Sequence, residues 1–255
     1  MLELYNFAES TCSQKVRLCL AEKKLDFVDR RVDYSEREQL SPQYLKLNPN
    51  GVVPTLVHDG VPIIESSVIV EYVDEVWPDP ALSPSSAIER ARMRAWLRYI
   101  DEVPTPAVRI PSLNMTLLPL FARMKEEDYQ DYLAKTPLRK HFMQKMGRTG
   151  FTRKDYDEAL EKLGGTLARM ADALRTGPWL LGDQFTLADI CLLPTIDRLN
   201  DLGLSDLWEE DFTEVAEWYA RARNRPSFAK AYFRGSRLSE RYKVAEWNAL
   251  VEQRQ

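Results

Sequence analysis

Histidine is nearly missing from this chain: His58 and His141 are the only two in 255 residues. One lies beside a turn signal and the other in a polar segment, so neither histidine-based catalysis nor a histidine zinc site is expected, and no metal is called for. Cysteine is scarce too. Cys12, Cys19 and Cys191 form an odd set of three without metal-type spacing, which excludes a disulfide framework and fits a reducing cytoplasm. No apolar run approaches the roughly 20 residues of a membrane span, and Met1-Leu2-Glu3-Leu4-Tyr5 enters a strand pattern directly, so neither a membrane nor secretion is expected. A basic block is absent and the net charge is −4, which leaves a nucleic-acid partner without support. What remains, 44% hydrophobic and 29% charged residues, is ordinary for a globular chain of one large or two modest domains.

The pattern of elements changes character along the chain. Leu2 to Phe7 alternates as a short strand. Ala8 to Ser13 is a polar loop opening a helix whose apolar positions include Val16, Leu18, Cys19 and Leu20. Asp26 to Val32 reads as a second strand, and Ser41-Pro42-Gln43-Tyr44-Leu45 as a short helix with proline in its first turn. Thr55 to His58, the Asp59-Gly60 turn signal and Val61 to Ile64 form a hairpin, followed by a helix from Ser66. This is a βαβαββα unit of about 75 residues, an ordinary domain size. Three closely spaced prolines (Pro78, Pro80 and Pro84) mark a linker. Beyond it strand signals nearly vanish. Ala87 to Val103 is a helix halted by Pro104 and Pro106; 111–150 reads as one long helix plus an irregular excursion, with a solvated charge-rich face at 135–148. Lys154 to Leu174 is a strong amphipathic helix. The expected division is therefore 1–77 for the α/β domain, 78–86 for the linker and 87–255 for an all-helical domain.

Three local signals carry more. Pro54 belongs at the start of a strand and Pro62 marks an edge, because proline cannot donate to a ladder. If Val53-Pro54 is cis, Val53 turns its backbone N–H and C=O outward as a free edge. Glu65, Ser66 and Ser67 put a carboxylate, hydroxyls and unpaired helix N–H groups together, where an ammonium and a carboxylate can both be held. A free peptide edge beside such a zwitterion site describes a receptor for a small peptide. Finally, Phe185-Thr186-Leu187-Ala188-Asp189-Ile190 reads as a capping box with a hydrophobic staple, which serves folding rather than chemistry.

Together, in this order, the Val53-Pro54 turn, the Glu65-Ser66 pair and the Phe185–Ile190 cap preceded by Trp179-Leu180-Leu181-Gly182-Asp183 resemble the cytosolic glutathione transferases. The resemblance spans the chain. It implies a thioredoxin-like N-terminal domain, an all-α C-terminal domain, glutathione as co-substrate, a small-molecule electrophile as second substrate and a homodimer. By the same resemblance Val53 pairs its backbone with the cysteinyl unit, Glu65 and Ser66 hold the γ-glutamyl end, and Gln39 is the candidate for the glycyl end. Many relatives carry Gln or Lys where this chain has Val52, so that side-chain contact is absent.

Thiol activation needs a donor, since a thiol with pKa near 8.5 is mostly protonated at neutral pH. A hydroxyl and a helix N-terminus both stabilise the anion, and Ser10, Thr11 and Ser13 sit at such a helix start while also being good caps. Alignment with the serine-using classes puts Ser10 on the catalytic position. Alignment with the bacterial glutathione-dependent β-aryl etherases, whose extended charged segment also ends in a Gly-Phe (Gly150-Phe151), favours Ser13. Those enzymes displace an aryl oxide from carbon with the glutathione thiolate. The omega-like reductases carry cysteine in the Ser10 slot, so serine there favours transfer over disulfide exchange. The rivals are a glutathione-dependent disulfide reductase or peroxidase relying on Cys12 or on glutathione itself, and a non-catalytic interaction module. Trp96, Tyr99, the tryptophans and the methionines of 111–150 are candidates for an apolar pocket or, by helical spacing, for plain core. Cys19 and Cys191 are expected in the core.

Overall fold

The computed structural model describes residues 1–136 and 138–244. Trp247, one of the tryptophans considered for the pocket, lies outside them. Strands β1 (Leu2–Asn6), β2 (Val28–Arg31), β3 (Thr55–His58) and β4 (Val61–Ile64) form one sheet in the order β2-β1-β3-β4. β1 runs parallel to β2 and antiparallel to β3, and β3 antiparallel to β4. Helices α1 (Thr11–Glu22), α2 (Pro42–Leu47) and α3 (Ser66–Val76) complete the βαβαββα order. Asp59 and Gly60 both have positive φ, at 49° and 83°, as a two-residue hairpin turn demands. Pro62 lies on the edge strand.

The rest is helical: α4 (Ala87–Glu102), α5 (Pro104–Thr116), α6 (Leu118–Phe121), α7 (Glu126–Ala134), α8 (Lys140–Met146), α9 (Arg153–Leu174), α10 (Leu187–Asp201), α11 (Asp206–Glu209), α12 (Thr213–Arg223) and α13 (Pro226–Ala231). Pro104 halts α4 as expected, and it also starts α5, in the first-turn position where its missing N–H costs nothing. Two expectations fail beyond it. The segment 111–150 is not one long helix. It is broken after Thr116 and around Met124, and Gly147, at φ 58°, closes α8. Nor is 135–148 only a solvated face. Met143 and Met146 are buried with Leu118, Phe121, Tyr129 and Tyr132 in a core of their own.

The main core joins the sheet to the helices. α1 packs on α3, α10 and α13, and one cluster runs from Leu4, Val16 and Leu56 to Leu97, Leu167 and Trp218. Cys19 and Cys191 are fully buried in it as expected; burial pushes the Cys191 thiol up to about 12 and raises that of Cys19. Among the described residues no helix is long and apolar enough to cross a membrane.

The capping box forms at the start of α10 and reaches further than its sequence suggests. Asp189 is fully buried and accepts from the Thr186 N–H at 2.9 Å, the Leu180 N–H at 3.0 Å and the Trp218 indole N–H at 2.8 Å. It ties the loop before α10 to α12. A second capping box, Thr152 with Asp155, starts α9.

Candidate functional site

A cavity of about 760 Å³ opens where the β1–α1 loop, the β2–α2 segment and the proline turn face α5 and α8. Its floor is the mouth of α1. Ser10 is the N-cap residue, and its Oγ accepts from the Ser13 N–H at 3.2 Å. Accepting occupies a lone pair and leaves the Ser10 O–H hydrogen available to a ligand. Ser10, Thr11 and Cys12 all border the cavity. Ser13 does not: it is fully buried and its Oγ accepts from the Phe7 N–H at 3.3 Å.

Of the residues assigned to glutathione, Gln39 and Val53 border the cavity, whereas Pro54, Glu65 and Ser66 are not in its lining; Pro54 and Ser66 are buried and Glu65 is exposed. The Val53-Pro54 bond is cis. Tyr34 also borders the cavity, its phenol pushed up to about 12 by burial against the opposing pull of Arg139. Gln39 is 3% exposed and its Oε1 has no hydrogen-bond partner among the described residues, so a donor from a ligand would complete it. Glu65 caps α3 at φ 68°, a left-handed conformation that costs a non-glycine residue about 1–3 kcal/mol and marks functional positions. Its Oε1 accepts from Asn50 Nδ2 at 3.1 Å. The Ser66 hydroxyl is among the groups that lower the Cys12 thiol, which relates the mouth of α3 to the cavity electrostatically.

The Cys12 thiol is perturbed by opposing influences. Burial alone would raise its thiol, but Lys15, Arg109, Arg139 and the Ser66 hydrogen bond outweigh that and hold it below the ordinary cysteine value. Lys15 is fully buried and pairs with Asp101 at 2.9 Å.

The opposite wall is apolar. Val108, Leu113, Leu117 and Leu120 come from α5 and α6, and Met143 from α8. None of the described tryptophans lines the cavity. Trp208 and Trp218 are core, and Trp96 packs edge-to-face on Tyr99 at 5.9 Å, beside a separate shallow depression. The aromatic rings of the cavity are Phe7, Tyr34, Tyr132 and Tyr242.

Sequence reasoning missed Arg109, Arg139 and Tyr34. A signal for Arg109 exists. Once Pro104 is taken as a helix start, Val108, Arg109, Ser112, Leu113 and Thr116 recur at helical spacing on one face. That face lines the cavity.

The sheet order, the helical half and the arrangement around the cis proline are those of one class of protein. The chain matches the glutathione S-transferase N-terminal domain over residues 9–76 and the glutathione S-transferase C-terminal domain over residues 153–221. It belongs to the glutathione S-transferase family. Protein LigF of Sphingobium sp. strain SYK-6 is 30% identical over 243 residues, covering 92% of this chain and 95% of that protein. The crystal structure of the β-etherase LigF from the same strain superposes with a TM-score of 0.81, covering 91% of this chain and 98% of that one. Glutathione S-transferase 1 of Dianthus caryophyllus is 34% identical over 196 residues, 76% of each chain.

Proposed function

We propose that this protein attacks an apolar aromatic electrophile with the glutathione thiolate, and that its substrates include β-aryl ethers, the bond class named for the similar β-etherase. The observation that carries the reading is spatial. The Ser10 hydroxyl at the mouth of α1, the Val53 backbone and the apolar wall of α5, α6 and α8 open on one cavity large enough for a tripeptide and an arene side by side.

In this reading Ser10 donates to the sulfur while the α1 N-terminus adds its partial positive charge, and both lower the thiol's pKa toward neutrality. Val53 holds the cysteinyl unit, Glu65 and Ser66 hold the γ-glutamyl end, and Gln39 holds the glycyl end. Pro54 sets the direction of the Val53 edge. Ser13, turned inward, keeps the loop in shape instead. A cytoplasmic location and a homodimer through the α3–α4 face, where Val68 and Ile88 are exposed beside the Arg94–Glu71 ion pair, belong to the same proposal. Conjugation of a chloronitroarene and a panel of β-aryl ethers tests the chemistry. Glutathione binding without turnover on any electrophile would sink it. Sedimentation at working concentration tests the dimer.

A further inference from the structure

We propose that Arg109 and Arg139 form a cationic subsite that receives the aryl oxide as it leaves carbon. The inference rests on the functional reading above and names the part of the cavity that handles the leaving group.

Arg31, Arg198 and Arg241 also border the cavity, and each is neutralised: by Asp29 at 2.5 Å, Asp201 at 3.6 Å and Glu9 at 2.6 Å. Arg109 and Arg139 are different. Among the described residues neither has a carboxylate within ion-pair distance. Asp101 attracts Arg109, but it is held by Lys15 at 2.9 Å. The Arg139 Nε is buried without a hydrogen-bond partner. The two guanidiniums repel each other electrostatically, and both pull on the Cys12 thiol. Two like charges facing an apolar wall with no counterion are an unfavourable arrangement, relieved when an anion enters between them.

Their location says which anion. Arg109 lies on α5 and Arg139 just before α8, the helices that supply Leu113 and Met143 to the apolar wall, and both also act on Cys12 beside the mouth of α1. The charge therefore stands where the apolar wall meets the place assigned to the sulfur, within reach of an electrophile under attack. Ether cleavage needs an anion acceptor there. The thiolate's electron pair forms the S–C bond, the C–O bond breaks, and its pair goes to the aryl oxygen. Negative charge passes from sulfur to oxygen, with no oxidant or reductant required. The phenoxide takes a proton from water afterwards. An ordinary phenol ionises near pH 10, so it is a poor leaving group unless its anion is stabilised as it forms. A guanidinium cannot lose its proton and offers planar paired donors suited to that task.

The test uses a nitrophenol, coloured only as its anion, bound to the glutathione-loaded protein. The wild type is expected to bind it as the anion, with its ionisation moved to lower pH. Arg109→Gln and Arg139→Gln lose most of that shift with glutathione affinity retained by calorimetry, and Arg109→Lys and Arg139→Lys, which keep the charge, recover part of it. With aryl ethers, the loss of turnover in the Gln variants rises with the basicity of the leaving phenol, to about 100-fold for an ordinary one. The proposal is overturned by three results: no ionisation shift in the wild type, a shift that survives both Gln changes, or variants that lose glutathione instead of nitrophenolate. If the shift is present but no ether is cleaved, the anion subsite stands and the etherase reading falls.

Discussion

Replacing Ser10 by alanine separates two jobs that one hydroxyl performs. Its Oγ accepts from the Ser13 N–H at 3.2 Å as the cap of α1, and loss of such a cap costs about 1 kcal/mol of stability. In the proposed complex its O–H also donates to the thiolate. A hydrogen bond to a charged group contributes about 1.5–3 kcal/mol, which at about 1.4 kcal/mol per unit is about one to two pKa units on the bound thiol. The ultraviolet absorbance of the thiolate, followed against pH with glutathione bound, should therefore show the ionisation moved up by that amount in Ser10→Ala. Turnover below the pKa should fall about 10–100-fold and converge with the wild type once the pH is high enough to ionise the thiol in both. Ser10→Gly is the control, because glycine caps a helix within a few tenths of a kcal/mol of serine: stability should recover while the pKa shift persists. An unmoved thiol pKa in Ser10→Ala, or an equal shift in Ser13→Ala, would refute the assignment.

The other expectations concern the frame around the site. Asp189→Ala strands the buried N–H groups of Leu180, Thr186 and Trp218, so urea unfolding should show a loss of about 3–5 kcal/mol. Glu22 joins α1 to α13 through two hydrogen bonds to Arg225 at 2.7 Å each; burial raises its carboxyl, but these and the Ser227 bond hold it below the ordinary value. Its stabilisation is therefore present above the unfolded value near 4.3 and lost as pH falls through the folded one; Glu22→Gln should cost about 1–3 kcal/mol at neutral pH and flatten that acid limb in thermal unfolding. Gly150 has φ 89°, and a Cβ there would lie 2.8 Å from Asn114 Oδ1 and 2.9 Å from Leu118, so Gly150→Ala should cost at least about 1–2 kcal/mol and expose 118–151 to limited proteolysis. Cys12→Ser should keep most ether-cleaving turnover; its loss would favour the disulfide-reductase reading.

Much of the α/β half, and the start of α10, was legible because the signals are local. An Asp-Gly pair demands positive φ at two successive residues, Pro54 and Pro62 restrict where a ladder can run, and a Thr-x-x-Asp box declares a helix start. Each of these is decided within a few residues, and each appears in the structure at the expected position. The segment after Glu102 was misread because proline is ambiguous. Pro104 ends one helix and begins the next, and only the apolar face that follows tells the two roles apart. Ser10 and Ser13 were equally good caps on paper. Only the Phe7 N–H, delivered by the end of the first strand, turns Ser13 inward. Arg109 and Arg139 could not be paired from sequence at all, since they are 30 positions apart and meet through tertiary packing.

That packing also gives the Gly150-Phe151 motif a physical meaning. Asn114 on α5 grips the Phe151 backbone from both sides, accepting its N–H at 2.8 Å and donating to its carbonyl at 3.4 Å. The Phe151 ring stacks obliquely on Phe142 at 4.9 Å. The chain between Leu118 and Phe151 thus leaves α5, builds a small core on which Ile110 and Leu113 of α5 also pack, and is fastened back to α5 by Asn114. Because α8 hangs on that fastening, the clamp fixes where Arg139 stands relative to Arg109. The grip on the tripeptide is built by the α/β half, whereas the wall and its two unpaired charges are built by α5 and the clamped segment. A change confined to the clamp should therefore weaken phenoxide binding while glutathione binding holds, which separates the two halves of the site by measurement.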